Sequence, residues 1–509
     1  MTGPKARLRL DEAEAELAHL EREQARMRAA AYAARVPQAG AASVDAALSE
    51  LLGQADLPEA VDGLRADARA PLELRRALLW ERRLERARID GAPEVAALER
   101  SLEARAVAFT PEVPGARGVA AVRRVLATAP ERERRRAAYA AMAPLARSLG
   151  PDLGRLIAMR DDRARAAGHS GYLGYALAHA DLTPTRVATF LQAVLRATDG
   201  IYADLLADRA VRLGLDAPPA AWDLEYLLVG AEQVMPTADP TLPKEGAAAS
   251  LLAFLSDHGL DPLTLGITVV ASDGPYTNLC VPVDPPLDIR LLAAPAHGLA
   301  GHRRLAQALG RALHARFQEP PSPIFRAEPG AFQAAMGDTV AAFLEEPEWF
   351  AAQGLGVREA DGASEGLRRQ RLLAVRRGSV RALCEYALYA DRGSDGDEVL
   401  SGLEGEILGL DADPTPHWAA DAWYASDPLH GQNRVLAAAA ACQTARALRG
   451  AFGGLYGPRQ AMGSLRSGYW RPAATVAWQD KLATVSGMPL ATGALSAELG
   501  GRESNGHAL

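Results

Sequence analysis

The sequence has few cysteines, few aromatic residues and no long apolar run. Its three cysteines, Cys280, Cys384 and Cys442, lie far apart, which argues against a disulfide framework and favours free thiols in a reducing compartment. Aromatic side chains make up 6% of the 509 residues, so Ala, Leu and Val must build the core, as in closely packed helices. No apolar stretch reaches about 18 residues, and the N-terminus is charged throughout. We therefore expect a soluble cytoplasmic protein without a membrane span.

The sequence also lacks an excess of basic charge. The formal net charge is −7, so no excess of positive charge is available to neutralise phosphates, and we expect no nucleic-acid partner. Lysine occurs only as Lys5, Lys244 and Lys481, and arginine supplies the rest of the positive charge. This preference is typical of a GC-rich gene and does not by itself indicate a binding site.

Apolar residues recur at helical spacing near the N-terminus. Leu10, Leu17, Leu20 and Met27 are spaced like heptad positions in a predicted helix at 7–35. Such a helix either packs on its own protein or pairs with a partner helix in a coiled coil.

Further helices are predicted over the rest of the N-terminal half. Short helices punctuated by prolines fill the region between 44 and 150, and a long helix follows from about 153. A third helical region at 183–214 begins with Thr183 as the expected N-cap and Pro184 at the first helical position.

One region of the chain is rich in β-forming residues. The runs 267–272 and 278–283 are separated by a DGPY turn, and a third strand is predicted at 288–294. A helix at 299–317 follows, and helices continue almost to the end. The pattern predicts a mostly α protein with one small β-sheet.

A segment rich in Pro, Thr and Asp at 235–247 suggests a boundary within the chain. We predict an N-terminal helical lobe at 1–240 and a second lobe at 241–509.

One helix has the spacing of a metal-binding motif without its residues. Zinc peptidases place H-E-x-x-H on a helix, so that two His face one side and the Glu between them activates a water molecule. No H-E-x-x-H occurs here. The segment 302–317, HRRLAQALGRALHARF, nevertheless resembles the active-site helix L-x-H-E-x-G-H-A-x-H of the gluzincin peptidases in the angiotensin-converting-enzyme and oligoendopeptidase superfamily.

This resemblance assigns a family role to each position of the helix. Gln307 stands where the family has its first zinc-binding His, and Ala308 stands where it has the general-base Glu. Arg311 stands for the second zinc-binding His. Gly310 matches the family's Gly, and His314 matches a His that does not bind the metal.

The flanking segments resemble the same family. The segment 278–292 is similar to the strand pair that ends in D-V-R-V, and 326–350 is similar to the pattern N-P-G-F-H-E-A-I-G-D. The Glu of that pattern is the third zinc ligand, and Ala334 takes its place here. Asp338 matches the Asp that supports the metal site in the family.

The resemblance continues toward the C-terminus. The segment 421–448 is similar to H-F-x-S-x-P-x-Y-Y-x-N-Y, which supplies a His and a Tyr that stabilise the oxyanion. Trp423 stands where the His belongs, and His430 and Arg434 stand where tyrosines belong. The segment 471–490 resembles the family's closing helix, so that the likeness covers roughly residues 150–500. The resemblance implies a helical fold in which the two lobes form one unit around a deep central cleft.

The substituted positions imply that zinc is not bound and that no cofactor is required. Glutamine is a poor zinc ligand, alanine has no donor atom, and the arginine cation would repel the metal. We therefore predict a catalytically inactive homologue that binds a peptide or a small anionic ligand in its cleft, or acts as a partner of an active enzyme. The candidate cleft-binding residues are Arg290, Arg311, His314, Asp338, Tyr424, His430 and Arg434.

Two other functions stay open. His430, Arg434, Tyr424 and Asp338 could support metal-free chemistry in the same cleft. Alternatively, the chain is a conventional zinc peptidase whose ligands lie elsewhere.

Three further groups of residues bear on possible metal or catalytic sites. His297, His302 and His314 do not share one face of a straight helix, which argues against a displaced zinc site. Glu345, Glu346 and Glu348 form an acidic cluster that suits a solvated helix end better than a cation site. Cys280 lies in an apolar strand, where we expect an inert thiol.

Overall fold

A computed structural model describes residues 3–34, 40–113, 116–215, 218–230, 247–260, 264–271, 279–293, 298–320, 322–421 and 423–500. Helices dominate the described chain, as the sequence predicts. They are α1 (Gly3–Ala34), α2 (Ala41–Leu52), α3 (Asp56–Asp67), α4 (Pro71–Ile89), α5 (Pro93–Ala108), α6 (Val119–Thr128), α7 (Arg132–Ala140), α8 (Ala143–Ala166), α9 (Tyr172–Ala178), α10 (Pro184–Arg212), α11 (Ala221–Glu225), α12 (Ala247–Asp257), α13 (Gly298–Phe317), α14 (Gly330–Phe343), α15 (Pro347–Ala352), α16 (Val357–Ala390), α17 (Gly396–Leu408), α18 (Trp423–Ser426), α19 (His430–Phe452), α20 (Arg459–Leu465), α21 (Trp478–Ser486) and α22 (Gly493–Glu498).

Over the described ranges, the β-strands form a short hairpin and a three-stranded sheet. The hairpin pairs β1 (Glu112–Val113) with β2 (Ala116–Arg117). The sheet contains β3 (Ile267–Ala271), β4 (Leu279–Asp284) and β5 (Asp288–Ala293), in the order β3-β5-β4.

All three predicted strands of this sheet are therefore present. The central β5 pairs parallel with β3 and antiparallel with β4, so the two runs on either side of the DGPY segment are not neighbours. That segment lies outside the described residues.

The chain divides into two compact units, each assembled from three segments. Unit 1 comprises Met1–Ala92, Thr241–Leu355 and Ala440–Leu490, whereas unit 2 comprises Pro93–Pro240, Gly356–Ala439 and Ala491–Leu509. One boundary coincides with the predicted lobe boundary at 240, although each unit draws on both predicted lobes. The two-lobed arrangement and its cleft stay predictions, and most of the segment 235–247 lies outside the described residues.

The core of unit 1 includes the apolar face of α1. Leu10 and Leu17 are buried against α2, α3 and α4, together with Trp80 and Phe325. The heptad-like spacing near the N-terminus therefore reflects packing within this protein. A second cluster joins Ala29 of α1 to buried residues of β4 and β5.

The regular structure described for unit 2 is helical apart from the small hairpin. Its α10 begins at Pro184 with Thr183 as the N-cap residue, as predicted, although the Thr183 side chain makes no capping hydrogen bond. The longest helix, α16, runs for 34 residues and contributes many buried side chains. Over the described ranges, no helix combines the length and apolar character needed to cross a membrane.

Candidate functional site

The helix that resembles a zinc-binding helix, α13, crosses α14 at unusually short range. A Cβ atom on Gly310 would lie 2.4 Å from the carbonyl oxygen of Met336, and one on Gly337 would lie 2.7 Å from that of Gln307. Only glycine fits such a backbone approach without displacing its neighbours. The two glycines thus bring the Gln307 and Asp338 positions side by side.

Gln307 and Asp338 form a buried hydrogen bond across this crossing. Nε2 of Gln307 donates to Oδ1 of Asp338, and the two residues are 7% and 4% exposed. A zinc-bound His commonly donates its second ring N–H to a carboxylate in the same way. The Gln307 amide makes a bond of the same kind to Asp338, but its nitrogen is not a metal donor.

The other three positions that the resemblance assigns to zinc ligands or the general base offer no ligand. Ala308 is fully buried and Ala334 is half-buried, and neither has a donor atom. Arg311 is half-buried, and its charge acts on the Cys280 thiol of β4. Burial raises the pKa of Cys280 to about 12 despite the opposing effect of Arg311, so this thiol stays protonated at neutral pH.

Zinc does not fit this set of side chains. Two alanines, a guanidinium and a glutamine amide already bonded to Asp338 cannot supply the His, Cys or carboxylate donors that zinc prefers. Among the residues that the structure describes, no group of three or more His, Cys, Asp or Glu is placed to hold a metal ion.

The histidines near α13 have other environments. His302 is buried and stacks on Trp349, with ring centroids 4.4 Å apart, and burial lowers the pKa of His302 to about 4. His314 is buried in a charged cluster with Glu328 and Lys481. His297 lies outside the described residues.

The charged cluster beside His314 is one that the sequence did not reveal. Nε2 of His314 lies 3.7 Å from Oε1 of Glu328, and the Lys481 ammonium donates to the same oxygen. Nζ of Lys481 also donates to the carbonyl of Ala473 at 2.8 Å and lies 4.1 Å from the centroid of the Phe332 ring. The cluster ties α13 and α21 to the chain just before α14.

Burial and pairing act against each other on the pKa values of this cluster. Burial alone would raise the pKa of Glu328, but Lys481 and His314 together outweigh it and lower that pKa. Burial lowers the pKa of both Lys481 and His314, although Glu328 opposes the change in each. The only signal in the sequence is that Lys481 is one of three lysines in an arginine-rich chain.

The segment that resembles the oxyanion region lies in unit 2 and presents an ordered pair of rings. The Trp423 indole, 47% exposed, stacks on the His430 imidazole with centroids 4.5 Å apart and planes 8° apart. Nδ1 of His430 donates to Oδ2 of Asp427 at 2.8 Å. This bond fixes the ring and leaves Nε2 as its second polar atom.

Two buried groups anchor the backbone of this segment. Arg160 donates to the carbonyl oxygens of Tyr424 at 3.1 Å and Ala425 at 2.6 Å. Leu429 adopts a left-handed backbone with φ of 64°, and its N–H lies 3.0 Å from each carboxyl oxygen of Glu385. A non-glycine residue in this conformation is strained, so Glu385 holds a turn that the chain would not otherwise favour.

Glu385 is itself an unusual carboxyl group. Burial raises the pKa of Glu385 to about 8, although the Leu429 N–H and Arg160 favour the charged form. The group is therefore largely protonated at neutral pH. Nothing in the sequence around Glu385 distinguishes it from the other acidic residues of α16.

The remaining predicted residues are distributed as follows. Tyr424 is buried, with its hydroxyl toward the thiol of Cys384, and Arg434 is half-buried on the first turn of α19. Arg290 pairs with Asp288 through contacts of 3.1 and 3.3 Å.

The acidic cluster near α15 is engaged in ion pairs. Glu345 lies 2.8 Å from Arg303, and Glu346 lies 2.6 Å from Arg449.

The candidate residues form two groups, one in each unit. In unit 1 Gln307 meets Asp338, and in unit 2 Trp423 meets His430.

Two solved structures have a similar fold. An M32 carboxypeptidase from Deinococcus radiodurans R1 matches with a TM-score of 0.66 and 13% identity, over 97% of this chain and 98% of that chain. An oligoendopeptidase F matches with a TM-score of 0.61 and 15% identity, over 90% of this chain and 82% of that chain. No family model and no curated protein matches the sequence. The likeness shows a helical metallopeptidase fold, as predicted.

Proposed function

We propose that this protein is a catalytically inactive homologue of the helical zinc peptidases that binds a peptide or a small anionic ligand, or acts as the partner of an active enzyme. The observation that carries the proposal is the buried bond between Gln307 and Asp338. It supports the view that a polar contact between protein groups has replaced a contact to metal-bound histidine.

The chemistry of the other positions points the same way. A guanidinium about 4 Å from a divalent cation is repelled by roughly 8 kcal/mol at an effective dielectric constant of about 20. Arg311 stays protonated at any relevant pH. With Ala334 in place of a carboxylate, no favourable metal contact offsets that repulsion.

Peptide hydrolysis also needs a group that removes a proton from the attacking water. Ala308 is fully buried and cannot do this. The position assigned to the general base is therefore inaccessible to water and has no group that could accept a proton.

The proposed ligand class follows from the charge that remains on α13. Arg311 is half-buried, and a partly desolvated guanidinium binds carboxylates well because it can donate two parallel hydrogen bonds. Arg290 is a second candidate, and its guanidinium pairs with Asp288. A peptide C-terminus or a small carboxylate suits this environment.

Rebuilding the zinc site tests the assignment of the vacated positions. The triple variant Gln307→His, Arg311→His, Ala334→Glu should bind one zinc per chain, measured by metal analysis after dialysis, whereas the wild type should bind none. Adding Ala308→Glu should then give peptidase activity that a chelator abolishes. A folded triple variant without zinc would show that these positions do not converge.

Ligand binding is tested separately, by thermal shift with a broad panel of peptides and carboxylic acids. We expect stabilisation by carboxylates, lost in Arg311→Gln. Arg358→Gln is the matched control, because Arg358 is exposed on α16 and its loss changes the net charge equally. A carboxylate effect that persists in Arg311→Gln would exclude the proposed site, and the absence of any shift would count against ligand binding.

A second candidate function rests on the bond between Asp427 and His430. A carboxylate that orients an imidazole is a common arrangement for general acid–base catalysis, so metal-free chemistry would centre on His430. Such an activity would resist chelators and be lost in His430→Gln. Activity that survives this substitution would rule out the dyad.

A further inference from the structure

Unit 2 contains a cavity of about 430 Å³ that uses none of the positions carried over from the peptidase family. It lies between α10, α16 and the end of α17. Its walls are largely apolar, and the uncharged residues that line it are Tyr202, Ala203, Leu206, Ala207, Ala210, Pro219, Ile407 and Gly409. This volume lies within the range of small-molecule sites, about 300 to 1,000 Å³.

Three charged residues line the cavity, namely Asp199, Arg376 and Glu406. The Arg376 guanidinium is only 3% exposed. It donates to Thr198 Oγ1 at 3.0 Å and Asp199 Oδ1 at 2.9 Å, and it lies 4.4 Å from the centroid of the Tyr202 ring. Its charge is therefore already satisfied, and little of it is offered to an anionic ligand.

The two carboxylates remain accessible. The Asp199 side chain is 59% exposed. The Glu406 side chain is exposed, and its carboxylate makes no hydrogen bond or ion pair within the described part of the chain. The three lining charges, −1, −1 and +1, sum to −1. The carbonyl oxygens of Ile407 and Leu408, at the C-terminal end of α17, already accept hydrogen bonds from Arg376 and Tyr202, so the negative charge offered to a ligand is that of the two carboxylates.

We propose that this cavity binds a small organic cation, an amine with an apolar aromatic or aliphatic body. The body lies against Leu206, Ile407 and Tyr202, and the ammonium faces Glu406 and the outer oxygen of Asp199. A carboxylate with the same apolar body is excluded, because Arg376 already pairs with Asp199 and the net lining charge is negative. This site is independent of the function proposed above.

A matched ligand series tests the charge preference by calorimetry on the full chain. Tryptamine, indole-3-ethanol and indole-3-acetate share one apolar body and carry a positive, a neutral and a negative group. We expect tryptamine to bind about fivefold more tightly than the alcohol, as for a partly exposed charge contact of about 1 kcal/mol, and the acid not to bind. Binding of the acid as tight as that of the amine, or no binding of the amine at millimolar concentration, would overturn the proposal.

Substitutions test the location. Ala207 is exposed at the cavity, so Ala207→Trp should fill the space without disturbing the core and should abolish binding. Glu406→Gln should weaken tryptamine binding about three- to fivefold and leave the alcohol unaffected. Glu398→Gln removes an exposed carboxylate from the same helix outside the cavity and should change neither. Unchanged binding in Ala207→Trp, or equal effects of the two Glu substitutions, would contradict the site.

Discussion

Replacing Glu385 by glutamine should change how the stability of the protein depends on pH. Burial raises the pKa of this carboxyl group from an ordinary 4.5 to about 8. The folded state therefore holds a proton that the unfolded chain releases near pH 4.5. The stabilisation is complete below that pH, declines as the pH rises, and is lost above about pH 8.

The size of the effect follows from the difference between the two pKa values. Each pKa unit corresponds to about 1.4 kcal/mol, so the loss between pH 4.5 and pH 8 amounts to roughly 5 kcal/mol. Glutamine has nearly the same shape but does not ionise. It also replaces one of the two oxygens that accept the Leu429 N–H, which costs about 1–2 kcal/mol at every pH.

The two effects predict a crossover. In urea denaturation from pH 5 to pH 9, Glu385→Gln should be less stable than the wild type at pH 5 and more stable at pH 9. The exposed control Glu398→Gln should follow the wild-type curve. Parallel curves for Glu385→Gln and the wild type would refute the reasoning, because they would mean that Glu385 titrates as in the unfolded chain.

Other predictions concern the α13 region. Gly310→Ala should lower the free energy of unfolding by about 3 kcal/mol or more, since the added Cβ would lie 2.4 Å from a carbonyl oxygen; Gly362→Ala, where the space is open, should instead stabilise α16 by about 0.5–1 kcal/mol. Equal effects of the two substitutions in chemical denaturation would contradict the close helix crossing. Lys481→Met should cost about 3–5 kcal/mol because it leaves the Glu328 charge buried and uncompensated. Adding Glu328→Gln should recover most of that loss, and a double variant as unstable as the single one would show that the charge of Glu328 is not the cause.

The sequence predicted the helices and the strands well because both depend on local patterns. Leu10 and Leu17 mark the buried face of α1 by spacing alone, and Pro184 sets the start of α10. Pairing of β3 with β5 was not predictable in this way, since the β-rich runs beside a turn suggest a hairpin, whereas the register is set by tertiary contacts.

The candidate site, too, was predictable only in part, since some of its contacts depend on tertiary structure. The resemblance assigned Gln307 and Asp338 separately to positions of the family's metal site, and the structure brings them together where Gly310 and Gly337 let the two helices cross closely. The partners of His314 and Leu429 could not be found from spacing. Glu328, Lys481 and Glu385 reach them from segments distant in sequence, and their importance comes from burial, which a single sequence does not reveal.

The most direct test of the central claim is the zinc content of the purified wild-type protein, measured together with a chelator-controlled peptidase assay. The side chains of Gln307, Ala308, Arg311 and Ala334 predict a zinc content well below one ion per chain, even after incubation with zinc and dialysis, and no chelator-sensitive peptide hydrolysis. Stoichiometric zinc with peptidase activity that a chelator removes would contradict the account.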